Sequence, residues 1–262
     1  MNVPKNSLKN RLKGSKPLLG LFNGLPSTYA AEITAGAGYD WVLIDGEHVP
    51  FDLPLILQQL QAVAAYDIPI LVRPVEGTAV HLKQLLDIGV QSFLIPMVES
   101  KDQAEYLVQC IQYAPKGIRG VGTGLSRAAQ WNRITSYMQE AEEEICLILQ
   151  IESQKGLEQL EQIASIPRVD ALFFGPSDLS ASMGFLGQPR HPEVVQAIKK
   201  GIATIKEKGK AVGVFAMTPE SIQDYAKEGV DIIALGADSL LLAEATYQHA
   251  QACKKLIEEL DG

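Results

Sequence analysis

Two stretches, ICLILQIESQKG (145–156) and ALFFGPSDLSASMG (171–184), decide the fold. Each opens on an apolar run with no alternation, the mark of a strand buried on both faces, and then turns polar at a Gly, Pro or Ser cluster. The same pattern recurs outward along the chain as LLGLF (18–22), WVLID (41–45), ILVRP (70–74), FLIPMV (93–98), AVGVFA (211–216) and DIIALG (231–236). Between these runs lie segments of helical period: 52–66, 101–113, 193–208, 219–227 and 243–260. In the first of them Leu53, Ile56, Leu57, Leu60 and Val63 share a face. Gly36, Gly38, Gly89, Gly209 and Gly229 stand where helices should stop. Eight strands alternating with helices predict one (β/α)8 TIM barrel over 1–262, with a doubly wound open sheet as the competitor.

The 262 residues carry a net charge of −8, with 47% hydrophobic and 21% charged residues. An acidic chain without a basic face argues against nucleic acid or an anionic membrane as partner. No apolar run reaches the roughly 18 residues that span a bilayer, and the first residues lack an apolar signal core. Cys110, Cys146 and Cys253 are far apart, which excludes a disulfide framework or a Cys-based zinc site and points to the cytoplasm.

Barrel enzymes work at the C-terminal ends of their strands, so polar residues there are the first candidates. They are Asp45, Glu47 and His48, then Arg73, Glu99, Gln150, Glu152, Ser177, Asp178 and Asp238. Glu152 and Asp178 follow adjacent strands, and two carboxylates side by side repel unless they share a proton or bind a cation. Oxygen ligands suit Mg²⁺ or Mn²⁺, and also Co²⁺ or Zn²⁺. The alternative is that each caps the helix that follows. His48 is a candidate general base, or a loop histidine bonded to backbone. Arg73 ends an apolar strand, so it should meet either a ligand anion or a partner carboxylate. No strand end carries a Lys, so Schiff-base chemistry is not expected. GVGTG (120–124) lacks the preceding strand of a dinucleotide loop. Within the basic segment 116–133, Arg119, Arg127 and Arg133 suggest a lid over the catalytic face that meets an acidic substrate.

Taken together, YDWVLIDGEH (39–48), VRPVEG (72–77), KQLLDIGVQSFLIPMV (83–98), GIRGVG (117–122), QIES (150–153) and FFGPSDLSASMG (173–184) resemble the metal-dependent class II pyruvate aldolases of the 4-hydroxy-2-oxoheptanedioate aldolase family. The 2-keto-3-deoxy-sugar-acid aldolases are close relatives of that family. The resemblance implies reversible aldol cleavage of a 4-hydroxy-2-oxo acid to pyruvate and an aldehyde such as succinic semialdehyde, within aromatic-compound catabolism. It implies Glu152 and Asp178 as ligands of a divalent metal ion, His48 as catalytic base and Arg73 as enolate stabiliser. Gln150 and the backbone at Ser177 would hold pyruvate. It further implies a hexamer, a trimer of dimers, whose last helix is exchanged between neighbours. Asp87 matches a residue that raises the basicity of the histidine.

By its position Asp87 ends a helix about ten residues long, and so lies ~15 Å from the catalytic face. It would reach His48 only from a neighbouring subunit. Asp45, three residues before His48, is the alternative partner. Phe22 stands where many family members have Trp, and Asn23-Gly24 follows it. All three are expected near the mouth of the first strand, where they bear on the aldehyde. The rival readings are a barrel lyase acting on an acyl-CoA or phosphoenolpyruvate-type substrate, and a non-catalytic keto-acid-binding barrel.

Overall fold

A computed structural model describes residues 1–12 and 14–260. The elements, in chain order, are α1 (Ser7–Arg11), β1 (Leu18–Asn23), α2 (Thr28–Ala35), β2 (Trp41–Asp45), α3 (Leu53–Ala62), β3 (Ile70–Arg73), α4 (Ala79–Ile88), β4 (Ser92–Ile95), α5 (Lys101–Ile111) and α6 (Tyr137–Glu140). They continue as β5 (Cys146–Ile151), α7 (Gln154–Glu158), α8 (Leu160–Ala164), β6 (Ala171–Phe174), α9 (Pro176–Ser182), α10 (Pro192–Glu207), β7 (Ala211–Phe215), α11 (Pro219–Lys227), β8 (Ile232–Ala237) and α12 (Asp238–Glu258). The eight strands close in sequence order into a barrel, every neighbouring pair parallel. That is the (β/α)8 TIM barrel expected from the alternation, and the open sheet is excluded.

Side chains alternate along each strand between two cores. Trp41, Leu43, Leu71, Ile148 and Phe173 fill the barrel interior. Ile44, Val72, Leu149 and Phe174 face the helices in the larger outer core. The interior is tight enough that a Cβ on Gly213 would lie 2.1 Å from the Phe173 ring. Helix α1 closes the N-terminal end: Leu8 is fully buried in the interior cluster, and the Asn6 amide donates to Ser92 Oγ at 2.9 Å.

Helices start where the sequence offers a short polar side chain. Asp52, Thr78, Ser100 and Thr218 each accept a backbone N–H of the first turn of α3, α4, α5 and α11. Helix α4 ends on Gly89 at φ +106, a backbone that disfavours a Cβ. The last helix begins earlier than its periodicity implied, at Asp238 instead of residue 243. Apart from Asp238 it packs little against its own barrel, and Leu240, Leu241, Leu242, Tyr247, Leu256 and Ile257 are exposed.

The basic segment 116–133 overturns one expectation. It follows α5, not a strand, and so runs at the N-terminal end of the barrel, opposite the catalytic face. There it wraps the end of α4: Ala128 N and Ser126 Oγ donate to the Asp87 carbonyl at 3.0 Å, and Arg127 Nη1 donates to the Ile88 carbonyl at 2.7 Å. Arg119 is buried and donates to the Tyr137 hydroxyl at 3.1 Å. The segment is no lid over this chain's own barrel mouth, because a helix-to-strand connection is delivered to the other end.

Candidate active site

Register places the first half of the site. Asp45 and Arg73 are Cα partners at the ends of β2 and β3, both pointing inward. Arg73 Nε donates to Asp45 Oδ1 at 2.8 Å and Nη2 to Oδ2 at 2.7 Å, while Nη1 pairs with Glu47 Oε2 at 2.8 Å. The guanidinium lies 5.1 Å from the centre of the Phe22 ring. Burial works against its charge, but the hydrogen bond and charge of Asp45, with Glu47, outweigh that and hold its pKa above the usual value. Burial pushes Glu47 up, against the pull of Arg73 and His48. His48 is largely exposed at the mouth, with Glu47 Oε2 at 3.6 Å from Nε2. Both oxygens of Asp45 are engaged by Arg73 and by the Glu47 N–H at 3.1 Å, so Asp45 orients the arginine and not the histidine.

The second half comes from β5, β6 and the turn into α9. Glu152, just past β5, is 2% exposed; its Oε1 accepts the Met97 N–H at 2.8 Å and its Oε2 the Gln150 amide. Gly175 lets these groups meet, since a Cβ there would lie 2.5 Å from Glu152 Oε2 and 2.8 Å from Gln150 Nε2. Burial raises the Glu152 carboxyl to about 7, with Glu47 and Asp178 adding repulsion against the Met97 N–H and Arg73. Neither acid caps a helix: Ser153 accepts the Gly156 N–H at the start of α7, and α9 has no side-chain cap.

One cavity of about 370 Å³ joins the two halves. Its lining includes His48, Arg73, Gln150, Ser177 and Asp178, with Phe22 and Phe215 as apolar wall. Glu152 is not itself in the lining but accepts a hydrogen bond from Gln150, which is. Asp87 is not brought to this cavity. It ends α4 beside Arg119 and Lys83, half-buried, and burial raises its pKa. Phe22 and Gly24 line the cavity, but Asn23 does not: alternation turns it outward, where it is 1% exposed and its amide is without a partner. Asp238 binds the Gly24 N–H at 2.6 Å and so fixes the β1 loop.

Two contributors escaped the sequence reading. Glu47 was visible as a polar strand-end residue, but its hold on Arg73 was not. The Met97 N–H is turned toward Glu152 by a positive φ of 52°, which no side-chain pattern signals.

A divalent ion is tested by the donors on hand. Glu152 is a buried carboxylate short of positive charge, and Gln150 Oε1 is buried with no partner. With the Asp178 carboxylate these are hard oxygen donors, the set that suits Mg²⁺ or Mn²⁺. Among the described residues no group of three or more His, Cys, Asp or Glu forms a cage. Two carboxylates fit an ion that keeps several waters and shares its coordination with substrate.

Comparison with known proteins places the chain in a family. The model of the HpcH/HpaI aldolase/citrate lyase family matches residues 18–245, and the chain belongs to that family. It is 46% identical over 241 residues to the 4-hydroxy-2-oxo-heptane-1,7-dioate aldolase of Escherichia coli, covering 92% of each chain. It is 46% identical over 250 residues to the hydroxypyruvate/pyruvate aldolase of Pseudomonas aeruginosa, covering 95% of this chain and 93% of that one. A crystal structure of an HpcH/HpaI aldolase/citrate lyase family protein from Burkholderia cenocepacia J2315 superposes with a TM-score of 0.91 at 40% identity, over 95% of this chain and all of that one.

The Glu152 carboxyl gives a stability test. Its folded pKa of about 7 lies above the unfolded value of 4.5, so the folded state binds the proton more tightly. The associated stability is present below about pH 4.5 and is lost as pH rises through 7. In chelator-treated protein, Glu152→Gln should melt several degrees above wild type at pH 8 and within a degree or so of it at pH 4.5. Thermal unfolding followed by circular dichroism reads this, and a variant less stable than wild type at pH 8 contradicts the assignment.

Proposed function

We propose that the protein catalyses reversible aldol cleavage of a 4-hydroxy-2-oxo acid, releasing pyruvate and an aldehyde, with a divalent metal ion bound by Glu152 and Asp178. The observation that carries this reading is the Arg73 fork. It is locked by Asp45 and Glu47 in the wall of a cavity that Gln150, Ser177 and Asp178 also line. The metal would supply Lewis acidity at the 2-keto oxygen. Gln150 and the Ser177 backbone hold the pyruvoyl half. Arg73 places a fixed positive charge where negative charge builds as the C3–C4 bond breaks, so little reorganisation is needed during the reaction. His48 takes the proton of the C4 hydroxyl in cleavage; in the reverse direction it removes a proton from the pyruvate methyl. Among the described residues the cavity lining holds no lysine, which supports this route over a Schiff base.

The reading extends to the assembly. The exposed apolar residues of α12 support a helix exchanged with a neighbour, in a hexamer built as a trimer of dimers. Asp87, remote from its own His48, then acts on the His48 of an adjacent subunit. Support comes from the neighbouring segment, which presents Leu125, Val121 and Trp131 to the outside. Among the described residues no helix is long and apolar enough to cross a membrane. All three cysteines are free, with Cys110 and Cys146 buried, which supports a reducing cytoplasmic setting.

Two experiments test this account. Metal-stripped protein should neither add pyruvate to aldehydes nor exchange the methyl protons of pyruvate. Mg²⁺, Mn²⁺, Co²⁺ or Zn²⁺ should restore both, and borohydride with pyruvate should leave the enzyme active; a borohydride-trapped pyruvate adduct on a lysine overturns the metal route. For the subunit contact, Asp87→Ala and His48→Ala proteins are refolded separately and as a mixture, then assayed for aldol turnover. The mixture should recover activity because some sites regain both groups. No recovery in verified mixed oligomers removes Asp87 from the trans role.

A further inference from the structure

Arg119 lies outside the candidate active site, yet it is 4% exposed, as deeply buried as Arg73. The two arginines are held differently. Arg73 meets two carboxylates, whereas Arg119 Nη2 donates only to the Tyr137 hydroxyl, at 3.1 Å. Arg119 Nε and Nη1 are buried with no hydrogen-bond partner among the described residues. The guanidinium lies 4.5 Å from the centre of the Tyr113 ring and 5.6 Å from that of Tyr137, and neither ring brings a negative charge. A buried cation with two open donors is unfavourable unless an anion stands nearby.

The nearby anion is Asp87. The Arg119 N–H donates to the Gln112 carbonyl at 2.8 Å, which fixes where the next residues run. They cross the last turns of α4: a Cβ on Gly120 would lie 3.2 Å from Lys83 Cδ, and one on Gly122 3.9 Å from Asp87 Oδ2. Burial pushes the Asp87 carboxyl up; Arg119 pulls it down most strongly, and Lys83 follows. Tyr113, which feels both Arg119 and Asp87, is itself pushed up by burial and stays a neutral phenol. Arg127 is engaged by the Ile88 carbonyl at 2.7 Å. Neither open donor of Arg119 bonds Asp87, so the charge acts on the carboxylate while its oxygens remain available to a further donor.

That availability matters because only an ionised Asp87 can stabilise an imidazolium; a protonated one brings no charge. In the adjacent subunit, His48 has its own Glu47 at 3.6 Å and shares the cavity with Asp45, Arg73 and Asp178. We propose that Arg119 is a positioning residue for the aldol reaction, which from its buried seat holds the Asp87 carboxylate, as the anion, toward the His48 of the adjacent subunit. The inference rests on the trans role of Asp87 given above and adds the group that keeps Asp87 fit for it.

The test follows exchange of the pyruvate methyl protons in D₂O by NMR, with metal-loaded full-length enzyme and no aldehyde, from about pH 5 to 9, across which histidine titrates. Arg119→Met, Arg119→Lys and Asp87→Asn are compared with wild type, together with the Asp87→Asn/Arg119→Met double variant. Exchange needs His48 free of its proton, so the rate falls on the acid side. Without the Arg119 charge the Asp87–His48 pair keeps a proton to higher pH, and the acid limb of Arg119→Met should move up by about half to one unit. Arg119→Lys should restore the limb toward wild type. The double variant should match Asp87→Asn alone. Methionine fills the space between the tyrosine rings and removes two unpartnered donors, so the fold should survive the change.

An unmoved limb in Arg119→Met, with Asp87→Asn shifted, overturns the role of Arg119 alone. So does a further shift in the double variant, or an Arg119→Met protein that fails to fold or assemble, which makes Arg119 a structural residue. A wild-type profile in Asp87→Asn removes the trans role of Asp87, and the Arg119 inference falls with it.

Discussion

Arg73 is buried at the end of an otherwise apolar strand, and everything at the barrel mouth is arranged around keeping it charged there. Removing a guanidinium from water is unfavourable unless its donors are matched. The β2–β3 register meets that demand by setting Asp45 directly opposite, where its carboxylate takes the fork in two parallel bonds. Glu47, two residues on, takes the third nitrogen. The ring of Phe22 covers the guanidinium from β1. A cation fixed from several sides can stabilise developing negative charge without first reorganising, which is what an enolate-forming site needs.

The opposite half of the mouth is short of positive charge. Glu152 is buried and bonded by Gln150, and Asp178 stands near enough to raise its pKa further. In the proposed reaction, the two halves together make a cavity with one fixed cation and a place for a second. This division explains why the site draws on both sides of the barrel. Neither half alone could accept a keto acid in two-point fashion and also neutralise the charge formed when its carbon–carbon bond breaks.

Much of the architecture was legible because buried parallel strands leave a distinctive pattern. ICLILQI and ALFF could not be half-exposed, and helices of period 3.6 lay between them. Strand ends then pointed to His48, Arg73, Gln150, Ser177 and Asp178, which do share one cavity. What failed was the end of the barrel to which a long segment belongs. The basic and glycine-rich composition of residues 116–133 suggests a lid, but the side on which a connection emerges depends on whether a helix or a strand precedes it. Two other features were invisible for a different reason. Asn23 was placed near the mouth by position, and only the pleat of β1 decides that it faces outward. The Met97 N–H that holds Glu152 depends on a backbone angle, not on a side chain.

The proposed role of Arg73, stabilising charge that appears only as the reaction proceeds, is open to test by Arg73→Lys. Lysine keeps the positive charge but not the planar fork that engages Asp45 and Glu47. In this variant kcat for cleavage of a 4-hydroxy-2-oxo acid should fall on the order of 10²-fold or more while KM moves little, as when an oxyanion donor is removed. A near-normal kcat with a raised KM would contradict it, making Arg73 a residue that merely binds the substrate carboxylate.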